Sequence, residues 1–107
     1  MEYVGNILYD EKLMDTDMKM VIFGAGTYGK KILQYLELNS LLKNVICFCD
    51  SNVKHDKHEV NGIPVYHTTD AIKKFPDADY LVSGKYAKEM YDTLKKEGIE
   101  KIHILMV

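Results

Sequence analysis

The stretch Met20-Val21-Ile22-Phe23-Gly24-Ala25-Gly26-Thr27-Tyr28-Gly29-Lys30-Lys31-Ile32-Leu33 decides how this chain is read. Four apolar residues stop at a turn with three glycines, and a helical pattern follows. Glycine carries the largest backbone entropy cost on folding, so three of them between two regular elements need a physical reason. The spacing Gly-x-Gly-x-x-Gly after a strand and before a helix assigns each one a task. Gly24 lets the chain turn sharply out of the strand, Gly26 lets a phosphate approach the backbone, and Gly29 lets the helix pack close to the sheet. The helix start adds unpaired N–H groups and the positive end of the helix dipole. The Thr27 hydroxyl is one further donor. The bland alternative is a tight corner that serves packing alone.

Working outward, the rhythm is regular. Residues 18–23 are expected as a first strand and Thr27–Leu38 as a helix, with Tyr28, Ile32, Tyr35 and Leu36 at helical spacing. The run Asn44-Val45-Ile46-Cys47-Phe48-Cys49-Asp50 is apolar until its last residue, as expected of a strand buried on both faces. Residues 51–62 are polar and read as an exposed loop. Residues 63–66 are a short third strand, placed near an edge by Pro64. Thr68 or Thr69 caps a short helix that runs to Phe75 and is stopped by Pro76. Residues 79–83 are a fourth strand and 86–97 a third helix, with Ala87, Met90, Tyr91 and Leu94 on one face and Gly98 as the stop signal. Residues 101–107 are a fifth strand, expected at a sheet edge and thus a natural contact surface. Residues 1–17 are expected as a short helix or ordered arm built on Val4, Ile7, Leu8 and Met14. The alternation predicts an α/β fold of three layers, with a mainly parallel sheet of about five strands over residues 18–107. With no helix after the fifth strand, the chain is expected to be either one module of a longer polypeptide or a protein that stops there.

Asp50 ends the second strand, 21 positions beyond Gly29. A carboxylate there accepts hydrogen bonds from the two hydroxyls of a ribose and repels a 2′-phosphate. All 14 basic residues are lysines, so no arginine fork is present to hold a phosphate or to rescue NADP binding. A net charge of −2 argues against a nucleic-acid or membrane-surface partner. The first residues lack a basic start and a long apolar run, and no apolar stretch reaches the roughly 20 residues that span a bilayer. The expectation is a soluble, cytoplasmic chain.

The segments Val21 to Leu36, Val45 to Asn52, Val60 to Ile72 and Asp79 to Gly84 together resemble the Rossmann-like N-terminal domain of bacterial sugar-nucleotide acetyltransferases of the pilin-glycan and sialic-acid type, and related polysaccharide-biosynthesis domains. The resemblance covers residues 19–105. It implies that Gly24, Gly26, Thr27 and Tyr28, with Gly29 behind them, line the phosphates of a nucleotide-sugar such as a UDP-sugar. It also implies that Asp50, with Ser51 beside it, holds a ribose, and that Ser83 and Gly84 lie along the other side of the cleft. Those acetyltransferases carry their catalytic histidine and acetyl-CoA site in a following β-helix domain, of which this sequence has no repeat. Their turn often has histidine where this chain has Tyr28. The CoA-binding domains of acyl-CoA synthetases share the Gly62-to-Tyr66 pattern but usually lack an acid at the position of Asp50.

The expected function is a nucleotide-binding module, for a nucleotide-sugar or NAD, tied to surface-glycan biosynthesis. It has no complete catalytic centre of its own, and any chemistry is expected in an attached domain or an oligomeric partner. Two other classes stay open: an interaction or regulatory domain with a vestigial pocket, and a small NAD-dependent oxidoreductase completed by oligomerisation. The remaining candidates have plainer readings. Cys47 and Cys49 read as small buried hydrophobes, because two cysteines alone do not make a zinc site. His55 and His58, with Asp56 and Glu59, read as a solvated loop. His67 lies near the expected cleft without a nucleophile to serve. His103 reads as structural, and Lys85-Tyr86 as a helix start.

Overall fold

The computed structural model describes residues 2–6, 18–54 and 58–106. Its strands are β1 (Glu2–Asn6), β2 (Met20–Phe23), β3 (Val45–Cys49), β4 (His58–Val60), β5 (Ile63–Tyr66), β6 (Asp79–Ser83) and β7 (Ile102–Met106). Its helices are α1 (Thr27–Leu38), α2 (Thr68–Lys74) and α3 (Ala87–Lys96), with a 3₁₀ turn at Leu42–Asn44. The strands form one sheet in the order β1-β7-β6-β2-β3-β5-β4, parallel throughout except for the β4–β5 pair.

Alternation along each strand divides the core in two. Met20 and Ile22 of β2, Phe48 of β3 and Leu81 of β6 pack under Ile32, Leu33 and Leu36 of α1. Val21 and Phe23, Cys47 and Cys49, and Tyr80 and Val82 point the other way, toward Ala71 and Ile72 of α2 and Leu94 of α3. Helices thus cover both faces, and the fold is the three-layer α/β arrangement that the sequence pattern implies. All four residues of β2 are buried, which suits a strand at the centre of a parallel sheet. Tyr80 is buried too, and its hydroxyl donates to the carbonyls of Ala71 (3.1 Å) and Phe75 (3.0 Å) at the end of α2.

Two strands extend the sheet beyond the expected five. Glu2–Asn6 pairs with β7 in parallel, where a helix or arm was expected; residues 7–17 lie outside the described residues. The apolar spacing of Val4, Ile7 and Leu8 suits a helix, but strand pairing takes Val4. As a result β7 lies between β6 and β1 and is not an edge. The second addition is β4, inside the segment read as a loop. Asn61 (φ 53°) and Gly62 (φ 79°) both adopt positive φ, forming the two-residue turn that matches the twist of a hairpin. They fold His58–Val60 back onto β5, so the edge lies one strand beyond the one carrying Pro64.

Helix ends follow local chemistry. Gly98 (φ 88°) closes α3, with Gly98 N–H donating to Lys95 O (3.0 Å) and Ile99 N–H to Leu94 O (3.0 Å). The same closure ends α1, but there Ser40 occupies the left-handed position at φ 60°. Ser40 N–H donates to Glu37 O at 3.1 Å and Leu41 N–H to Leu36 O at 2.8 Å. A side chain at that φ costs about 1–2 kcal/mol, of which glycine's greater unfolded freedom returns part. Ser40→Gly is therefore expected to stabilise the domain by about 0.5–1 kcal/mol. Thermal unfolding would register this as a rise of several degrees, at about 4–8 °C per kcal/mol for a domain of this size.

Candidate functional site

The ends of β2, β3 and β6 open into one cleft of about 230 Å³. It lies at the carboxyl ends of the strands, where the chain leaves β2 in one direction and returns as β6 on its other side. That switch point is where open α/β sheets bind ligands. The floor is Gly24, Gly26, Thr27, Tyr28 and Gly29, running from β2 into α1. Asp50, Ser51 and Asn52 form the wall after β3. Ser83, Lys85, Tyr86 and Met90 form the wall after β6.

Each glycine of the floor has a separable cause. Gly24 has φ 96°, and its N–H donates to Cys49 O at 2.6 Å, so the turn leaves β2 while still tied to β3. A Cβ on residue 29 would overlap the Gly24 carbonyl oxygen, so glycine there is a packing requirement. Gly26 differs from both. Its φ is −90°, open to any residue, and a Cβ on it would meet nothing within 4 Å. It is the N-cap of α1, a position that favours glycine, but no packing contact within the chain requires it there.

The helix that begins at Gly26 is also left open. It has no side-chain cap and no acidic residue in its first turn. In α2 the corresponding groups are supplied: His67 Nδ1 accepts from Thr69 N–H at 3.2 Å, and Asp70 sits in the first turn. His67, not Thr68 or Thr69, is the cap, so the imidazole serves the backbone and does not line the cleft.

Asp50 is a structural clamp. Its Oδ2 accepts from Ala25 N–H at 3.0 Å, and its Oδ1 from Asn52 N–H at 2.9 Å. The first bond joins the glycine turn to β3; the second shapes the following loop. Ser51 is tied across to Thr68 by a 2.9 Å hydroxyl pair. Gly84, at φ 89°, does not itself line the cleft. It lies beneath the Tyr28 ring, where a Cβ would come within 2.7 Å of that ring. Tyr28 thereby bridges the floor and the β6 wall.

The cleft gathers Gly24, Gly26, Thr27, Tyr28, Gly29, Asp50, Ser51 and Ser83, all named from sequence, and adds Phe23, Asn52, Lys85, Tyr86 and Met90. Lys85 and Tyr86 follow β6 after Gly84, and only the pairing of β6 beside β2 brings them to the cleft, so no local signal marks them. Cys47 and Cys49 are buried in the core and unbonded to each other. Burial pushes the Cys47 thiol up to about 12, with Lys74 only partly opposing, and raises Cys49 as well. His103 pairs with Asp79 at 3.0 Å, away from the cleft. His55 and Asp56 lie outside the described residues, and His58 and Glu59 are exposed on β4. Among the described residues no cluster suits a metal ion, and no helix is long and apolar enough to cross a membrane.

The family model of the PglD N-terminal domain matches residues 19–83, from the start of β2 to the end of β6. The chain belongs to that family. The match contains the glycine turn and both cleft walls up to Ser83. No curated protein matches the chain. Among solved structures, a Rex-family repressor superposes with a TM-score of 0.65 at 17% identity, covering 88% of this chain and 54% of that one. That likeness carries the Rossmann-like fold, and the chain spans about half the length of the repressor. Family and fold together support a nucleotide-binding module.

These environments make different demands on substitution. Gly29→Ala is expected to destabilise the domain by about 2–3 kcal/mol or more through backbone overlap, whereas Gly26→Ala costs under about 1 kcal/mol; urea titration separates them. The buried thiols should resist a thiol reagent at pH 8, and both should react once urea unfolds the chain. Because their folded values lie above 9.0, the native state keeps protons that the unfolded state loses. Stability is therefore expected to fall as pH rises from 9 toward 12, read as a declining urea midpoint.

Proposed function

We propose that this domain binds a nucleotide, a nucleotide-sugar before NAD, for an enzyme of bacterial surface-glycan biosynthesis whose catalytic centre lies in another domain or chain. The observation that carries the reading is Gly26. It caps the start of α1, and the space a Cβ would fill is open, so the backbone there is free to meet a group approaching from outside. An uncapped helix start beside it supplies N–H donors and a positive dipole end to an anion. Phosphates then rest on Gly24–Tyr28, and a ribose reaches the remaining lone pairs of Asp50, with Ser51 beside it.

The nucleotide-sugar is placed first because of the PglD family match. NAD is the second reading, favoured by the glycine spacing and by a carboxylate at the end of β3. A cleft of about 230 Å³ is below the roughly 300–1,000 Å³ of sites that enclose a whole drug-sized ligand. It suits one nucleotide's ribose and phosphates, with the rest of the ligand extending outward.

Calorimetry and thermal shift with UDP, UDP-N-acetylglucosamine, NAD, NADP and coenzyme A test this. A ligand at about 100 times its Kd is expected to add about 2.7 kcal/mol of stability, and Gly26→Ala to weaken its binding tenfold or more while the fold persists. No response to any of these ligands would overturn the proposal in favour of an interaction domain. Preference for NADP over NAD would contradict the role given to Asp50.

A further inference from the structure

The cleft has three parts of different charge. At the β3 wall Asp50 is an anion, and its oxygens already accept two backbone N–H groups. The floor offers helix N–H groups. The β6 wall holds Lys85, the one cationic side chain among the described residues that line the cleft. Strands sit about 4.8 Å apart, so the ends of β3 and β6, with β2 between them, are roughly 10 Å apart.

That separation orients any bound nucleotide. Phosphates are repelled by Asp50 and drawn toward the floor and Lys85. A ribose, which donates hydroxyl hydrogens, is drawn to Asp50. Whatever the far phosphate carries must then emerge over the β6 wall. The side chain waiting there is Tyr86, 58% exposed, with the Lys85 ammonium 5.2 Å from its ring centroid. Large exposed apolar side chains are few among the described residues: Tyr28, Leu38, Leu42 and Tyr86. Two of these four border this cleft. An exposed aromatic ring beside an ammonium group suits the flat face of a sugar or base attached to a phosphate.

We propose that Lys85 and Tyr86 are the residues that discriminate among ligands: Lys85 pairs with the second phosphate, and Tyr86 packs against the group which that phosphate bears. This rests on the nucleotide-binding reading and adds to it a direction for the ligand and a residue for each increment of affinity. Neither side chain belongs to the glycine motif, so the increments separate from the basic grip on the first phosphate.

The test is calorimetry on two ladders, UMP, UDP and UDP-N-acetylglucosamine, and AMP, ADP and NAD. It uses the unaltered chain, Lys85→Met, Tyr86→Ala, and Lys96→Met as a charge-matched control at the far end of α3. In the ladder that binds, the unaltered chain and the control are expected to gain tenfold or more from mono- to diphosphate. Lys85→Met should lose that gain and hold the monophosphate within about twofold. Tyr86→Ala should keep the diphosphate affinity and lose the increment from the attached sugar or nucleoside. Equal weakening of every rung by Lys85→Met, or an unchanged gain, overturns the role of Lys85. An unchanged last increment in Tyr86→Ala overturns that of Tyr86. If the unaltered chain binds no rung of either ladder, the nucleotide reading itself falls, and this one with it.

Discussion

The close approach of Gly29 to the Gly24 carbonyl is the constraint on which the site depends. The oxygen occupies the space a side chain at residue 29 would need. Only with that space empty does α1 start directly over the end of β2, with Ile32, Leu33 and Leu36 on the sheet. The turn is then held from the other side. Gly24 N–H bonds to Cys49 O and Ala25 N–H to Asp50 Oδ2, so β3 fixes the loop that β2 launches. Backbone sterics set the path, and a carboxylate locks it.

This arrangement gives Asp50 a structural role of its own. Each carboxylate oxygen has capacity for a second hydrogen bond beyond the backbone N–H it already accepts. A ribose at Asp50 would therefore bind to a group that also positions the phosphate-facing loop. On the proposed reading, ribose and phosphate recognition would be coupled through one side chain. Loss of Asp50 removes a clamp as well as an acceptor, and for that reason Gly26 is the cleaner probe of binding.

The readable parts of the sequence were those where one local rule acted without competition. The bounds of α1 follow from the glycine turn and the helical spacing that succeeds it, and the structure has the same Thr27–Leu38. The strands β2, β3, β5 and β6 announce themselves as short apolar runs. Asn61-Gly62 was an equally local signal, overshadowed by the polarity of the residues before it; the turn's positive φ values make β4, not side-chain hydrophobicity. At Glu2–Asn6 no local rule suffices, because a parallel partner about a hundred residues away decides between helix and strand. In the site, the glycine motif and Asp50 were legible because the motif itself fixes their spacing. Lys85 and Tyr86 were not, because their place depends on β6 lying next to β2, a fact of topology.

That same adjacency gives the cleft two walls of different origin. The floor belongs to a single continuous segment, β2 to α1, whose geometry is dictated by two glycines and one carboxylate. The β6 wall reaches the cleft only through the sheet, and its Lys85 and Tyr86 side chains are exposed and independent of that geometry. A substitution at Lys85 or Tyr86 leaves the turn intact, whereas one at Gly24 or Gly29 does not. On the proposed reading, phosphate holding would rest on the backbone and discrimination on exposed side chains that the turn does not need.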